Sequence, residues 1–192
     1  MFEYINHLRF GHRDPRALSW EQWSQLPASP WVFPAELETY FQMVFAANRD
    51  IIAGRRILDI GCEHGTKIPW FAKMQPSELV CIDPAREHFH IAEHVGRMVG
   101  RLSKITTICA LSRAEDFTLA ADTIFLLSVN HYLEDQFEIY RRLRCDHLVL
   151  DTWTDRTPAL AQITDHLAEK YTLENEAYYK KNRVVLRYRR TA

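Results

Sequence analysis

From Arg56 to about Lys170 the sequence repeats one alternation, a short apolar run followed by a longer amphipathic stretch. The apolar runs Arg56–Ile60, Glu78–Ile82, Ile105–Leu111, Thr123–Ser128 and His147–Asp151 read as strands. Between and after them, Thr66–Met74, Ala85–Gly100, Glu134–Arg144 and Pro158–Lys170 read as helices, with Pro69 tolerable in a first turn. Few architectures accept this order. Strands that alternate with helices build a parallel sheet with helices packed on its faces. A near-continuous apolar strand such as Thr123–Ser128 suits a sheet covered on both sides.

The flanks differ from this middle. Residues 1 to about 55 contain no strand-like run; Leu18–Leu26 and Glu36–Ala47 look helical and are separated by Pro27, Pro30 and Pro34. The segment is aromatic (Trp20, Trp23, Trp31, Phe33, Tyr40, Phe41, Phe45) and reads as a helical cap on a larger core. At the other end, Tyr171–Tyr179 and Arg183–Arg190 are extended, with Lys180, Lys181 and Asn182 as the turn. In the second run Val184, Leu186 and Tyr188 should point inward and Arg183, Arg187 and Arg189 be more exposed, although Val185 blurs the pattern. The expected fold is therefore α/β. It is a doubly wound, mostly parallel seven-stranded sheet with a C-terminal antiparallel hairpin and an N-terminal helical cap. The cap, residues 1–54, belongs to the same domain as the core, residues 55–192.

Composition narrows the class further. A chain of 192 residues, 47% hydrophobic, fits one domain with a substantial core. A formal charge of −1 gives no global attraction to a polyanion. The four cysteines (Cys62, Cys81, Cys109, Cys145) are widely spaced, and neither they nor the nine histidines show zinc spacing, so no metal is expected. His90 and His94 share a helical face but have no nearby acid or cysteine to complete a site. Met1–Phe10 lacks the apolar stretch of a signal peptide, and no segment approaches the roughly 20 apolar residues of a membrane span. The expectation is a cytoplasmic protein that does not enter a membrane.

Two short stretches carry the chemistry. In Arg56-Ile-Leu-Asp59-Ile-Gly61-Cys62-Glu63-His64-Gly65, an apolar strand ends in an acid and a turn with two glycines leads into a helix. Gly61 lets the backbone turn tightly and come close to a ligand, and the free N–H groups of the helix start suit an anionic or polar group. In Leu79-Val-Cys-Ile82-Asp83-Pro84, a second strand ends in an acid, 83 − 59 = 24 residues after the first. An acid there can accept hydrogen bonds from both hydroxyls of a ribose, on the sheet edge where open α/β proteins bind ligands. The same aspartate would also serve as an N-cap for the helix beginning near Pro84.

Together these features resemble class I S-adenosylmethionine-dependent methyltransferases, over about residues 54–190. The hairpin favours this resemblance over a nicotinamide dehydrogenase. It implies a Rossmann-like core with S-adenosyl-L-methionine as cofactor. The turn from Asp59 through Gly61, Cys62 and Glu63 to Gly65 would touch the methionine part. Asp83, followed by Pro84, would bind the ribose. Glu115 or Asp116, with Phe117, would lie against the adenine, Arg113 standing where many relatives have an acid. Ser128, Asn130, His131 and Tyr132 would follow the fourth strand, next to the transferable methyl. Glu63 stands where many relatives have a third glycine; its side chain either crowds the cofactor, points outward or has a role of its own.

His131 is the candidate general base, because an imidazole with a pKa near ~6.5 accepts a proton at neutral pH. Many methyl transfers need no base, since a sulfonium leaving group already drives displacement, and the protein then contributes alignment. Trp31, Phe33 and Tyr40 either cover the methyl-donor pocket or pack in the core. The expected partner is a small-molecule methyl acceptor. The basic stretch Lys180–Arg190 suits either contact with nucleic-acid phosphate or a solvated edge strand, and the second is preferred. Two alternatives remain: an RNA methyltransferase, and a non-catalytic cofactor-binding or scaffold subunit of the same fold.

Overall fold

The computed structural model describes residues 35–63, 65–103, 106–111, 113–114, 118–129, 133, 136–154, 160–179 and 182–191, apart from the side chains of 35–38, 87, 90, 91, 94, 98, 101–103 and 111. Helix α1 (Ala35–Ala47) precedes the alternating core. The core runs β1 (Arg56–Ile60), α2 (Ile68–Met74), β2 (Glu78–Asp83), α3 (Arg86–Ser103), β3 (Thr106–Leu111), β4 (Thr123–Leu126), α4 (Gln136–Arg142), β5 (His147–Trp153) and α5 (Leu160–Leu167). The hairpin β6 (Tyr171–Tyr179) and β7 (Arg183–Arg190) follows. The proposed helix at Leu18–Leu26 lies outside the described residues, as do Trp31 and Phe33.

The seven strands form one sheet in the order β3-β2-β1-β4-β5-β7-β6. β1 pairs in parallel with both β2 and β4, so the winding direction reverses between β1 and β4. β7 pairs antiparallel with β5 on one side and with β6 on the other. The preference for β7 as a solvated edge strand is thereby corrected: β6 is the edge, and β7 is interior.

Alternation along the strands splits the core into two layers. Ile57, Leu79, Cys81, Phe125, Val149 and Val185 pack with α1, α2 and α3 on one face. Leu58, Ile60, Val80, Ile124, Leu148, Leu150, Val184 and Leu186 pack with α4 and α5 on the other. α1 is more than a lid. Its residues Tyr40, Phe41, Val44 and Phe45 are buried, and Phe45 meets Phe71 edge-on with ring centroids 4.7 Å apart. Phe71 in turn meets Phe125 of β4 at 5.0 Å, an arrangement that adds about 0.5–1.5 kcal/mol per pair beyond burial.

The same alternation explains why Arg183 is buried rather than exposed. Residues 183 and 185 of β7 share the face covered by α1, and Asp151 and Trp153 of β5 stand beside them in register. Arg183 donates from Nε to Asp151 Oδ2 at 2.8 Å and lies over the Tyr40 ring, 3.9 Å from its centroid. Further along β7, Arg187 and Arg189 are tied to acids, Arg187 to Asp50 and Glu174 and Arg189 to Glu174.

Candidate active site

At the reversal point, the carboxyl ends of β1, β2 and β4 surround a cavity of about 570 Å³. This is where an open α/β sheet is expected to bind a ligand. Ile60 and Gly61 enter the wall from β1, Ile82, Asp83 and Pro84 from β2, and Leu127, Ser128 and Val129 from β4. Phe41 closes one side from α1, and Arg113 and Ala114 border it beyond β3.

The turn after β1 is built by backbone conformation. Gly61 and Gly65 have φ of +72° and +73°, and Glu63 between them has φ of +52°. Glu63 therefore keeps the left-handed bend a glycine would make, at a cost of roughly 1–2 kcal/mol. Its side chain is exposed, and its N–H donates to Asp83 Oδ2 at 2.9 Å, which ties the first turn to the tip of β2. A Cβ on Gly61 would stand 2.0 Å from Val129 Cγ1, and one on Gly65 would stand 2.9 Å from the Cα of Ala92. Gly65 thus serves the close approach of α3 rather than the cavity, whose wall it does not join.

Asp83 does two jobs. Its Oδ1 accepts from the Ala85 N–H at 2.9 Å, just ahead of α3, and lies 3.1 Å from His88 Nδ1. A carboxylate oxygen has two acceptor positions, so Oδ2, with the Glu63 N–H as its donor among the described residues, keeps capacity for a hydroxyl from the cavity. Capping and ligand binding are compatible at this residue.

Asp59 is placed differently from its neighbours. It shares the face of Ile57 on β1, is fully buried, and is not part of the cavity wall. Its Oδ1 lies 3.1 Å from the Lys67 ammonium, yet neither carboxylate oxygen receives a well-aligned hydrogen bond. The contact is thus an ion pair of imperfect hydrogen-bond geometry. Burial pushes the Asp59 carboxyl up to about 6 against the opposing pull of Lys67. Burial lowers Lys67, but the Asp59 charge and hydrogen bond together with the neighbouring Cys62 and Cys81 outweigh it and hold the ammonium above its ordinary value. Both groups are charged at neutral pH. Cys62 is likewise behind the wall, its thiol packed in the core.

Of the residues singled out for the cofactor, Gly61, Glu63, Asp83, Pro84 and Ser128 come together on the cavity wall. Asp59, Cys62 and Gly65 support that wall from behind. Glu115, Asp116, Phe117, Asn130 and His131 lie outside the described residues, as do His64 and Tyr132. Tyr40 does not cover the cavity. It turns its hydroxyl to Asp151 beneath Arg183, and Phe41 takes the wall position instead. Burial, and then the Asp151 carboxylate, hold the Tyr40 phenol well above its ordinary range.

Sequence reasoning passed over Lys67 and gave His88 no role. The available signal for Lys67 was a single lysine inside Gly65-Thr-Lys67-Ile-Pro-Trp-Phe-Ala, a stretch otherwise without charge. For His88 it was an imidazole five residues after Asp83, within the first helical turn.

The strand order, the reversed hairpin and the cavity at the switch point decide the architecture. The fold is that of the class I S-adenosylmethionine-dependent methyltransferases. Magnesium protoporphyrin IX methyltransferase from Synechocystis PCC 6803, solved with bound S-adenosylmethionine, superposes with a TM-score of 0.70 at 14% identity, over 99% of this chain and 96% of that one. A second methyltransferase structure, from Mesorhizobium loti, gives 0.61 at 15% identity over 77% and 96%. The N-methyltransferase NodS from Bradyrhizobium japonicum WM9 gives 0.58 at 19% identity over 80% and 98%. No family model matches the chain. No curated protein matches it either. The fold is therefore shared with these structures at 14–19% identity. Among the described residues no helix is long and apolar enough to cross a membrane, and no cluster of His, Cys, Asp or Glu has the arrangement of a metal site.

Proposed function

We propose that this chain is an S-adenosylmethionine-dependent methyltransferase acting on a small-molecule acceptor in the cytoplasm. The observation that carries this reading is the cavity at the β1/β4 switch point, with the left-handed turn at Gly61 and the strand-tip acid Asp83 both in its wall. The residues present fit the cofactor. Asp83 retains acceptor capacity for a ribose hydroxyl, and the Gly61–Glu63 backbone leaves room for the methionine end. Arg113 and Ala114 border the side assigned to the adenine, and Glu115, Asp116 and Phe117, next to them in sequence, are the candidates for contacting it.

When bound, the cofactor supplies a methyl group activated by a sulfonium. The chain's own task is then alignment and exclusion of water. Phe41, Leu127, Val129 and Leu133 make an apolar wall on the β4 side of the cavity, and Ser128 adds a polar group there. We assign the acceptor to this side, with Phe41 of α1 bordering its pocket. His131 and Asn130, just beyond β4 in sequence, are the candidates for handling an acceptor proton. The similar magnesium protoporphyrin IX methyltransferase is named for a small-molecule acceptor, which supports the same class here. Four unpaired cysteines fit a reducing compartment.

Titration calorimetry with S-adenosylmethionine and S-adenosylhomocysteine tests the reading. Binding of both is expected, together with methyl transfer to a member of a small-molecule acceptor panel. No binding of either at millimolar concentration would overturn it and favour a scaffold subunit.

A further inference from the structure

The ammonium of Lys67 sits inside the molecule, with its side chain 5% exposed. An ammonium has three N–H donors. One goes to the Gly61 carbonyl at 2.9 Å and one faces Asp59 Oδ1 at 3.1 Å. The third has no acceptor among the described residues. Lys67 and Gly61 both belong to the cavity wall, whereas Asp59 does not. The pair is neutral as a whole but asymmetric in place. Its negative end is sealed behind β1, and the residue that carries its positive end lines the cavity together with Gly61 and Thr66.

We propose that Lys67 reads the carboxylate of a bound α-amino acid tail, so that the cavity selects adenosyl ligands that carry that carboxylate over those that lack it. The inference rests on the methyltransferase reading above and adds to it a residue and a rule of ligand choice. Three features give the position its selectivity. The cation is held in place by Gly61 and Asp59, so no side-chain ordering accompanies binding. It is desolvated, so an anion offered to it gains more than it would at the surface. The same ammonium already faces the Gly61 carbonyl and the Asp59 carboxylate, so a ligand's own ammonium brought to these acceptors meets its repulsion. An amine-only tail therefore meets a cation where it needs an acceptor.

The test compares two ligands by calorimetry, S-adenosylhomocysteine and its decarboxylated analogue S-adenosyl-3-thiopropylamine. The natural protein should prefer the carboxylate-bearing ligand by about 10- to 100-fold, the scale of a charge-assisted hydrogen bond. Lys67→Met alone strands the Asp59 charge and risks unfolding, so it is paired with Asp59→Asn, which removes both charges together. In that double variant the preference should fall to within about threefold, mainly by weaker binding of S-adenosylhomocysteine. A preference that persists undiminished in a folded double variant overturns the role of Lys67. Equal binding of the two ligands by the natural protein overturns it also and leaves the methyltransferase reading standing. Binding of neither ligand overturns both.

Discussion

Asp151 joins three elements, and its removal makes the sharpest test of how they are held. Its carboxylate faces the Arg183 guanidinium of β7, the Tyr40 hydroxyl of α1 and the Ser128 N–H at the end of β4, the last at 2.6 Å. Asp151 is 3% exposed and Arg183 8%, so neither charge can turn to water when the other is lost. Asp151→Ala leaves a buried guanidinium without its counter-ion, which costs about 3–5 kcal/mol. The Tyr40 hydroxyl, fully buried, loses its acceptor at about 1 kcal/mol more. The Ser128 N–H belongs to an exposed residue and recovers a water. The expected loss is about 4–6 kcal/mol, or roughly 10–20 °C in Tm for a chain of this length. Urea unfolding followed by circular dichroism, with a check that the m-value is unchanged, measures it. Combining Asp151→Leu with Arg183→Met removes both charges and should recover most of the loss. A single variant that loses less than about 1 kcal/mol, or a double variant as unstable as the single, would refute the account of a tightly coupled buried pair.

Other outcomes follow from the same geometry. Asp83→Ala should weaken S-adenosylhomocysteine binding by about 1–3 kcal/mol in calorimetry, and an unchanged Kd would remove Asp83 as the ribose ligand. Gly61→Ala forces a Cβ against Val129 and a side chain into a left-handed backbone, and should cost about 2–4 kcal/mol in unfolding experiments. Adding Val129→Ala should return only the collision part of that cost. Asp59, raised to about 6, binds its proton more readily in the folded than in the unfolded chain. Its contribution to stability is thus greatest at acid pH and is lost as pH rises through about 4 to 6, with a slope of at most about 1.4 kcal/mol per pH unit. On acidification from about pH 6 to 4 the natural protein should therefore gain stability relative to Asp59→Asn, and a relative loss would contradict the assignment. If His131 is a base, His131→Ala should lower turnover far more than cofactor affinity; equal turnover across neutral pH would remove it.

The architecture was legible because its signals are local. Strand tips such as Asp59 and Asp83 announce themselves as acids at the end of apolar runs, and both hairpin strands match their expected bounds, Tyr171–Tyr179 and Arg183–Arg190. What the sequence did not carry was partnership. Period-two alternation in β7 says that Arg183 faces away from Val184. It does not say that α1 covers that other face, because the covering helix lies more than a hundred residues earlier in the chain. Lys67 was missed for a related reason. A lysine near a helix start ordinarily points to water, and only the sheet brings Asp59 beneath this one. Glu63 shows the converse, a departure from the glycine pattern that the backbone absorbs by adopting the glycine conformation anyway.

The interior position of β7 has a consequence for how the sheet comes into being. Among the described residues, strand β6 has no neighbour other than β7, and β5 reaches β6 only through it. During synthesis, residues 171–179 emerge before the strand they pair with, and Asp151 before the cation that neutralises it. Residues 183–190 are thus a keystone: the half-built arch on either side closes when they slide between its two halves.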